Sequence, residues 1–272
     1  MTSANRNLIL VLLLTNFLYV DFALAQPPNP STQKQDVTLA ELSRQAIRSF
    51  SEGEYDSALE KAKTLTSRQP TNLRFQFFYG SVAFAAGEVK QSAAAFDQVV
   101  QLDPTIEPSL WQRGLAYYYA DRFKDGVAQF ETHQTVNTQD VENAVWHLLC
   151  ASKISDLQQA RKQLIPISED GRVPMTEIYE MFAGRKTPAD VIEAAKQTSV
   201  HVKPDSERHR LQRYYAHLYI GLYQEMMGES ELAKASLEKA VLVNPLPKDN
   251  FMGAVAQTHL TVRWAEPKAT DE

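Results

Sequence analysis

The chain has 272 residues, 44% hydrophobic and 22% charged, enough apolar content to fold and enough length for more than one compact unit. Its 28 Lys and Arg against 33 Asp and Glu give a net charge of −5, the wrong sign for a general binder of nucleic-acid phosphates. One cysteine excludes an intramolecular disulfide and a cysteine zinc cage, and ten glycines are too few for a barrel or sandwich with many tight turns.

The N-terminus reads as an export signal. Arg6 precedes an apolar run from Leu8 to Leu14, which resumes from Phe17 to Val20 and ends at Asp21. The apolar core is about 13 residues, short of the ~20 that span a bilayer. Ala23-Leu24-Ala25 is a small-x-small cleavage signal before Gln26. Residues 1–25 are expected to be a signal peptide, cut after Ala25, leaving no transmembrane span and a periplasmic or extracellular protein. The competing reading is an uncleaved anchor, which Asp21 disfavours. No cysteine near the cut is available for lipid attachment. Residues 26–36, with Pro27, Pro28 and Pro30, are expected to form a flexible linker.

Beyond it the chain repeats every 34 positions. Gly53-Glu54-Tyr55 returns as Gly87-Glu88-Val89, and Pro70 and Pro104 share that offset, as do Gly80 and Gly114. A third unit places Asp121 at the glycine turn, and Gly221, Gly228, Ala233, Ala240 and Pro245 restate the spacing downstream. A small residue stands seven before each turn (Ala46, Gly80, Gly114, Gly221) and another five after it (Ala58, Ser92, Gly126, Ala233). Two antiparallel helices pack closely where small residues let their backbones approach. Glycine at the turn accepts a left-handed conformation, and proline ends the second helix. Aromatic and aliphatic residues at helical spacing fill the seam, among them Phe78, Tyr79, Phe96, Val99 and Val100. Each hairpin leaves apolar surface that a neighbour must cover.

These marks resemble the tetratricopeptide repeat over 39–72, 73–106, 107–140 and 214–247. Gln45, His133 and Thr138 depart from its usual residues. Between units three and four, 141–213 reads as an irregular helical insert. It has helices over 141–152, from an Asp156 cap through Leu164, over 175–182, and from a Thr187 cap with Pro188 and Asp190. Ser206 to Met227 reads as one long helix, and Asp249 as the cap of a closing helix over 250–262. That closing helix is expected to shield the end of the stack. The resemblance implies an all-α, right-handed superhelical solenoid of about eleven helices across 37–263, followed by a tail, 264–272.

The layout is also similar to the NlpI family of envelope lipoproteins. Gly114 to Tyr119, Val145 to Leu149, Tyr179 to Gly184 and Tyr219 to Tyr223 carry the likeness. It implies a homodimeric adaptor that gathers peptidoglycan hydrolases and a processing protease. The family's lipidation cysteine is missing here, so a soluble envelope version is implied.

Little points to chemistry. No GxG loop, HExxH pair or GxSxG elbow occurs. His209 and His217 are eight apart, too far for two ligands of one metal on a helix. No cofactor or metal is expected, and no catalytic residue is assigned. Cys150, among Trp146, Leu148 and Leu149, reads as a buried inert thiol or an intersubunit disulfide partner. Lys61, Lys63 and Arg68, and the cluster Arg208, His209, Arg210 and Arg213, read as solvated helix faces. The latter could also meet an acidic partner or glycan.

In the repeat frame the resemblance places Arg74, Phe77 and Phe84 of unit two and Trp111, Tyr118 and Tyr119 of unit three on one inner wall. Aromatic and Arg side chains carry most interface energy. These six are the candidate protein-binding residues, and the alternative is that they pack within the chain. The implied function is an exported, non-catalytic adaptor for a protein or peptide. A purely structural homodimer and an envelope hydrolase are the other readings, and the choice rests on analogy of fold.

Overall fold

Helix pairing follows the small residues and turns that recur along the chain. The structure is a computed structural model describing residues 30–197 and 202–264, with side chains described from Leu39 onward. The expected signal peptide, the first part of the expected linker and residues 265–272 lie outside the described residues. The chain divides into two units, Met1–Leu42 and Ser43–Glu272. The described part of the first is the start of helix α1, Pro30–Glu52, so residues 30–36 of the expected linker are helical. Pro30 fits there because the first helical position needs no N–H partner.

The second unit holds the end of α1 and the remaining helices. These are α2 (Tyr55–Arg68), α3 (Leu73–Ala85), α4 (Val89–Leu102), α5 (Trp111–Tyr119), α6 (Phe123–Gln134), α7 (Val141–Ser152), α8 (Leu157–Lys162), α9 (Met175–Phe182), α10 (Pro188–Ala195), α11 (Glu207–Met226), α12 (Ser230–Val243) and α13 (Phe251–Trp264). A 3-10 turn over Pro104–Ser109 precedes α5, and no β-strand occurs among the described residues. The fold is all-α, a right-handed superhelical solenoid of stacked hairpins. α3 packs on α2 and α4, α5 on α4 and α6, α7 on α6, and α11 on α12.

Turn and seam residues act as their chemistry requires. Gly53, Gly87 and Gly228 have φ of 79°, 80° and 81°, and Asp121 adopts 59° at the equivalent turn. Within the third hairpin, a Cβ on Gly114 would come within 2.5 Å of the Phe130 ring. Contact between α5 and α6 therefore demands glycine there. The Asp156 and Thr187 caps form as read, and Ser206, read as the first residue of its helix, is instead its cap; each accepts from a backbone N–H three residues on. At α13 the cap is Asn250, whose Oδ1 accepts from Gly253 N at 3.0 Å, and Asp249 does not take that role.

A polar clamp fixes the insert. The Arg172 guanidinium, in the loop between α8 and α9, binds Asp140 at 2.7 Å and Asp170 at 2.7 Å, and it pairs with Glu142. Tyr219 of α11 donates to the other Glu142 oxygen at 2.7 Å. The start of α7, the loop and α11 are thus tied at one point.

The closing helix covers more than the end of the stack. α13 packs on α12, and it also lies against α3 and α5, the first helices of units two and three. Its segment carries one charged residue, Arg263, and its exposed positions, Gln257 and Thr261, are polar.

Candidate functional site

The wall begins with residues that each hairpin pushes to one side of its first helix. Phe84 ends α3, Tyr118 and Tyr119 end α5, and all three are fully or almost fully buried. Trp111 and Phe77 are half-buried, and Arg74 is exposed at the start of α3. Phe77 turns edge-on to Phe96 of α4, with ring centres 5.7 Å apart.

The chain itself covers this wall. Phe251, the first residue of α13, stacks on Phe84 with ring centres 4.2 Å apart and planes at 24°. It meets the Trp111 ring edge-on at 5.4 Å. One turn on, Ala254, Val255 and Ala256 are buried. Thr258 Oγ1 donates to the Phe84 carbonyl at 3.1 Å. His259 Nδ1 is 3.0 Å from the Tyr119 hydroxyl, and Arg263 lies over the Tyr118 ring at 5.6 Å. Phe84, Trp111, Tyr118 and Tyr119 thus face an intrachain helix, Phe77 packs within its own hairpin, and of the six only Arg74, Phe77 and Trp111 keep exposed surface.

Sequence reasoning left out Phe251, Glu225, His259 and Arg263, which complete the arrangement. Glu225 comes from α11 and lies 3.3 Å from His259 Nε2, without the alignment of a hydrogen bond. The Tyr118 hydroxyl donates to Glu225 at 3.3 Å, and Arg263 pairs with Asp121 at 3.3 Å. A hydroxyl donating from Tyr119 to Nδ1 places the ring proton on Nε2, towards Glu225. Behind these groups Trp146 of α7 closes the seat, 5.3 Å from the Tyr118 ring. The signal that could have found the seat is the near absence of charge in α13.

Electrostatics make the seat sensitive to acid. Burial keeps the His259 ring below its ordinary 6.5 against the pull of Glu225, with Arg263 and Lys153 acting in the same direction as burial. Burial would push the Glu225 carboxyl up, but the His259 ring, then Lys153 and Arg263, bring it down to about 2. Both groups take protons more readily once the chain unfolds. Stability is thus lost as pH falls below 6.5 through the ring, and again as pH falls from 4.5 towards 2 through the carboxylate. The melting temperature should fall through both windows, and Glu225→Gln should flatten the lower one. A Glu225→Gln chain with the parent profile below pH 4.5 would contradict this account.

Other sequence candidates resolve simply. Cys150 is fully buried, and burial pushes its thiol up. This leaves an inert thiol and no route to an intersubunit disulfide. Ellman's reagent should find no reactive thiol in the native chain and one after unfolding; rapid native labelling would refute this. His209 and His217 lie half-buried on α11, and His209 accepts from Asp205 N at 3.1 Å. Among the described residues no group of three His, Cys, Asp or Glu is arranged to hold a metal ion, and no helix is long and apolar enough to cross a membrane.

Comparison with known proteins agrees with this architecture. A tetratricopeptide repeat protein from Parabacteroides merdae is similar in structure at 16% identity, with 86% of each chain covered and a TM-score of 0.50. A crystal structure of MamA protein shares 14% identity over 85% of this chain and 98% of that one, with a TM-score of 0.43. Residues 44–105 match the tetratricopeptide repeat family. That stretch contains most of the first two hairpins, and the match is to that part of the chain.

Proposed function

We propose that this chain is an exported, non-catalytic adaptor that holds a protein or peptide partner on the wall formed by α3 and α5. One observation carries the reading: the wall already seats a helix, through stacked rings at Phe84 and Trp111 and a backbone-directed bond at the Phe84 carbonyl. Tetratricopeptide repeats support a protein-interaction role. Export rests on the apolar run and cleavage signal before Gln26. The likeness to the NlpI envelope lipoproteins suggests cell-wall hydrolases or a protease as partners, and a homodimer as the chain's own assembly.

The test is crosslinking of the tagged mature chain in its own envelope. Cell-wall hydrolases or a protease should be captured, and Trp111→Ala should lower capture at least about tenfold while helicity stays native, since such an anchor contributes roughly 2 kcal/mol or more. Equal loss of capture and helicity would assign Trp111 to the core instead. Capture of nothing but the chain itself would favour a structural homodimer. Turnover by the purified chain, lost on replacing one histidine, would favour a hydrolase.

A further inference from the structure

The seat of α13 has three features that set it apart from the hairpin cores. It is reached through a short connection, Asn244–Asn250, interrupted by Pro245 and Pro247. Its apolar contacts are good, since Phe251 fills the space between Phe84, Phe96 and Trp111. Its polar contacts are incomplete. His259 Nε2 and Arg263 Nε approach Glu225 at 3.3 and 3.9 Å without the alignment of hydrogen bonds, and Arg263 Nη2 is buried with no hydrogen-bond partner among the described residues. Buried polar atoms without an aligned partner oppose the burial of α13. α13 thus fits the wall by shape and imperfectly by polarity, and a helix that satisfied Glu225 and Asp121 better would compete with it.

We infer that α13 is a built-in occupant of the wall, and that the external ligand is an amphipathic helix of the same pattern which displaces it. This rests on the adaptor reading above and adds the chemistry of the ligand and its regulation. The pattern is an aromatic ring for the slot between Phe84 and Trp111, then small apolar residues three to five positions on, as at Ala254, Val255 and Ala256. A hydroxyl follows at the Thr258 position and a cation at the Arg263 position. Because the seated helix is tethered, it competes at high effective concentration, and the free chain is held in a state of low affinity.

The test uses the full mature chain and a labelled peptide copying residues 250–264. Phe251→Ala removes the ring that α13 inserts, so the variant should bind the peptide at least about tenfold more tightly than the parent. Gly87→Cys with Thr261→Cys supplies a lock. A Cβ on Gly87 lies 4.0 Å from Thr261 Cβ, inside the range of about 3.5–4.5 Å that a disulfide bridges. Oxidised, this variant should not bind the peptide; reduced, it should. The backbone strain of replacing a glycine at φ 80° is common to both redox states and cancels. Absence of binding to Phe251→Ala, or equal binding by the oxidised and reduced lock, overturns the proposal. A dimer that forms only on reduction also overturns it, assigning the wall to α13 of a second copy. Envelope crosslinking separates this failure from that of the adaptor reading. Equal capture of a partner by both redox states removes the displacement and leaves the adaptor, whereas no capture by either removes the adaptor.

Discussion

Replacing Arg172 with alanine is expected to destabilise the fold by about 2–3 kcal/mol at neutral pH. Breaking a buried ion pair on one side usually costs about 3–5 kcal/mol, because a charge is left without a partner. The guanidinium is 46% exposed, and solvent screening lowers that figure. Its three carboxylates are less exposed, Asp170 at 5%, Glu142 at 13% and Asp140 at 19%. Burial raises the Glu142 carboxyl even with Arg172 beside it. It would raise Asp170 as well, but Arg172 holds that group down. Without the guanidinium both carboxyls are raised in the folded chain. The loss is then full above their folded values and shrinks as pH falls and they protonate. Urea unfolding at pH 7 and pH 4.5 checks this, and an equal loss at both would refute it. Arg172→Lys should fall between parent and alanine, since it keeps the charge but not the fork.

Trp146→Ala is expected to cost more, about 4 kcal/mol, or roughly 10 °C in melting temperature for a chain of this size. Trp146 is 1% exposed, and its ring meets Tyr118 at 5.3 Å and Tyr119 at 6.0 Å. Its Nε1 has no hydrogen-bond partner among the described residues, so the whole effect is packing and the cavity left behind. Trp146→Phe, which keeps a ring in the site, should lose less than half as much. A comparable loss for both variants would mean that an unassigned polar contact of the indole matters. Calorimetric melting of parent and both variants decides between these outcomes.

The repeats were legible because they are local. A small residue seven before a turn and another five after it define one hairpin, and Gly80, Gly114 and Gly221 each face the second helix of their own unit. Caps at Asp156 and Thr187 were legible for the same reason, since a cap binds a backbone N–H within three residues. The six candidate residues lie in α3 and α5. Their occupant was not foreseen. Phe251 on Phe84, Thr258 on the Phe84 carbonyl and His259 on Tyr119 join positions far apart in the chain. No spacing rule within one helix reports such pairs.

Sequence alone therefore determined most of the helices and their pairing into hairpins. Propensity, capping and periodicity act within a few residues and are written directly into the chain. Tertiary structure decided what meets the aromatic residues. The direction α13 takes after Pro245 and Pro247 is set by competition among all the apolar surfaces it could cover. The clamp at Arg172 likewise exists only once α7, its loop and α11 have come together. Such choices depend on the summed burial and polar satisfaction of the assembled fold, a property no single segment carries.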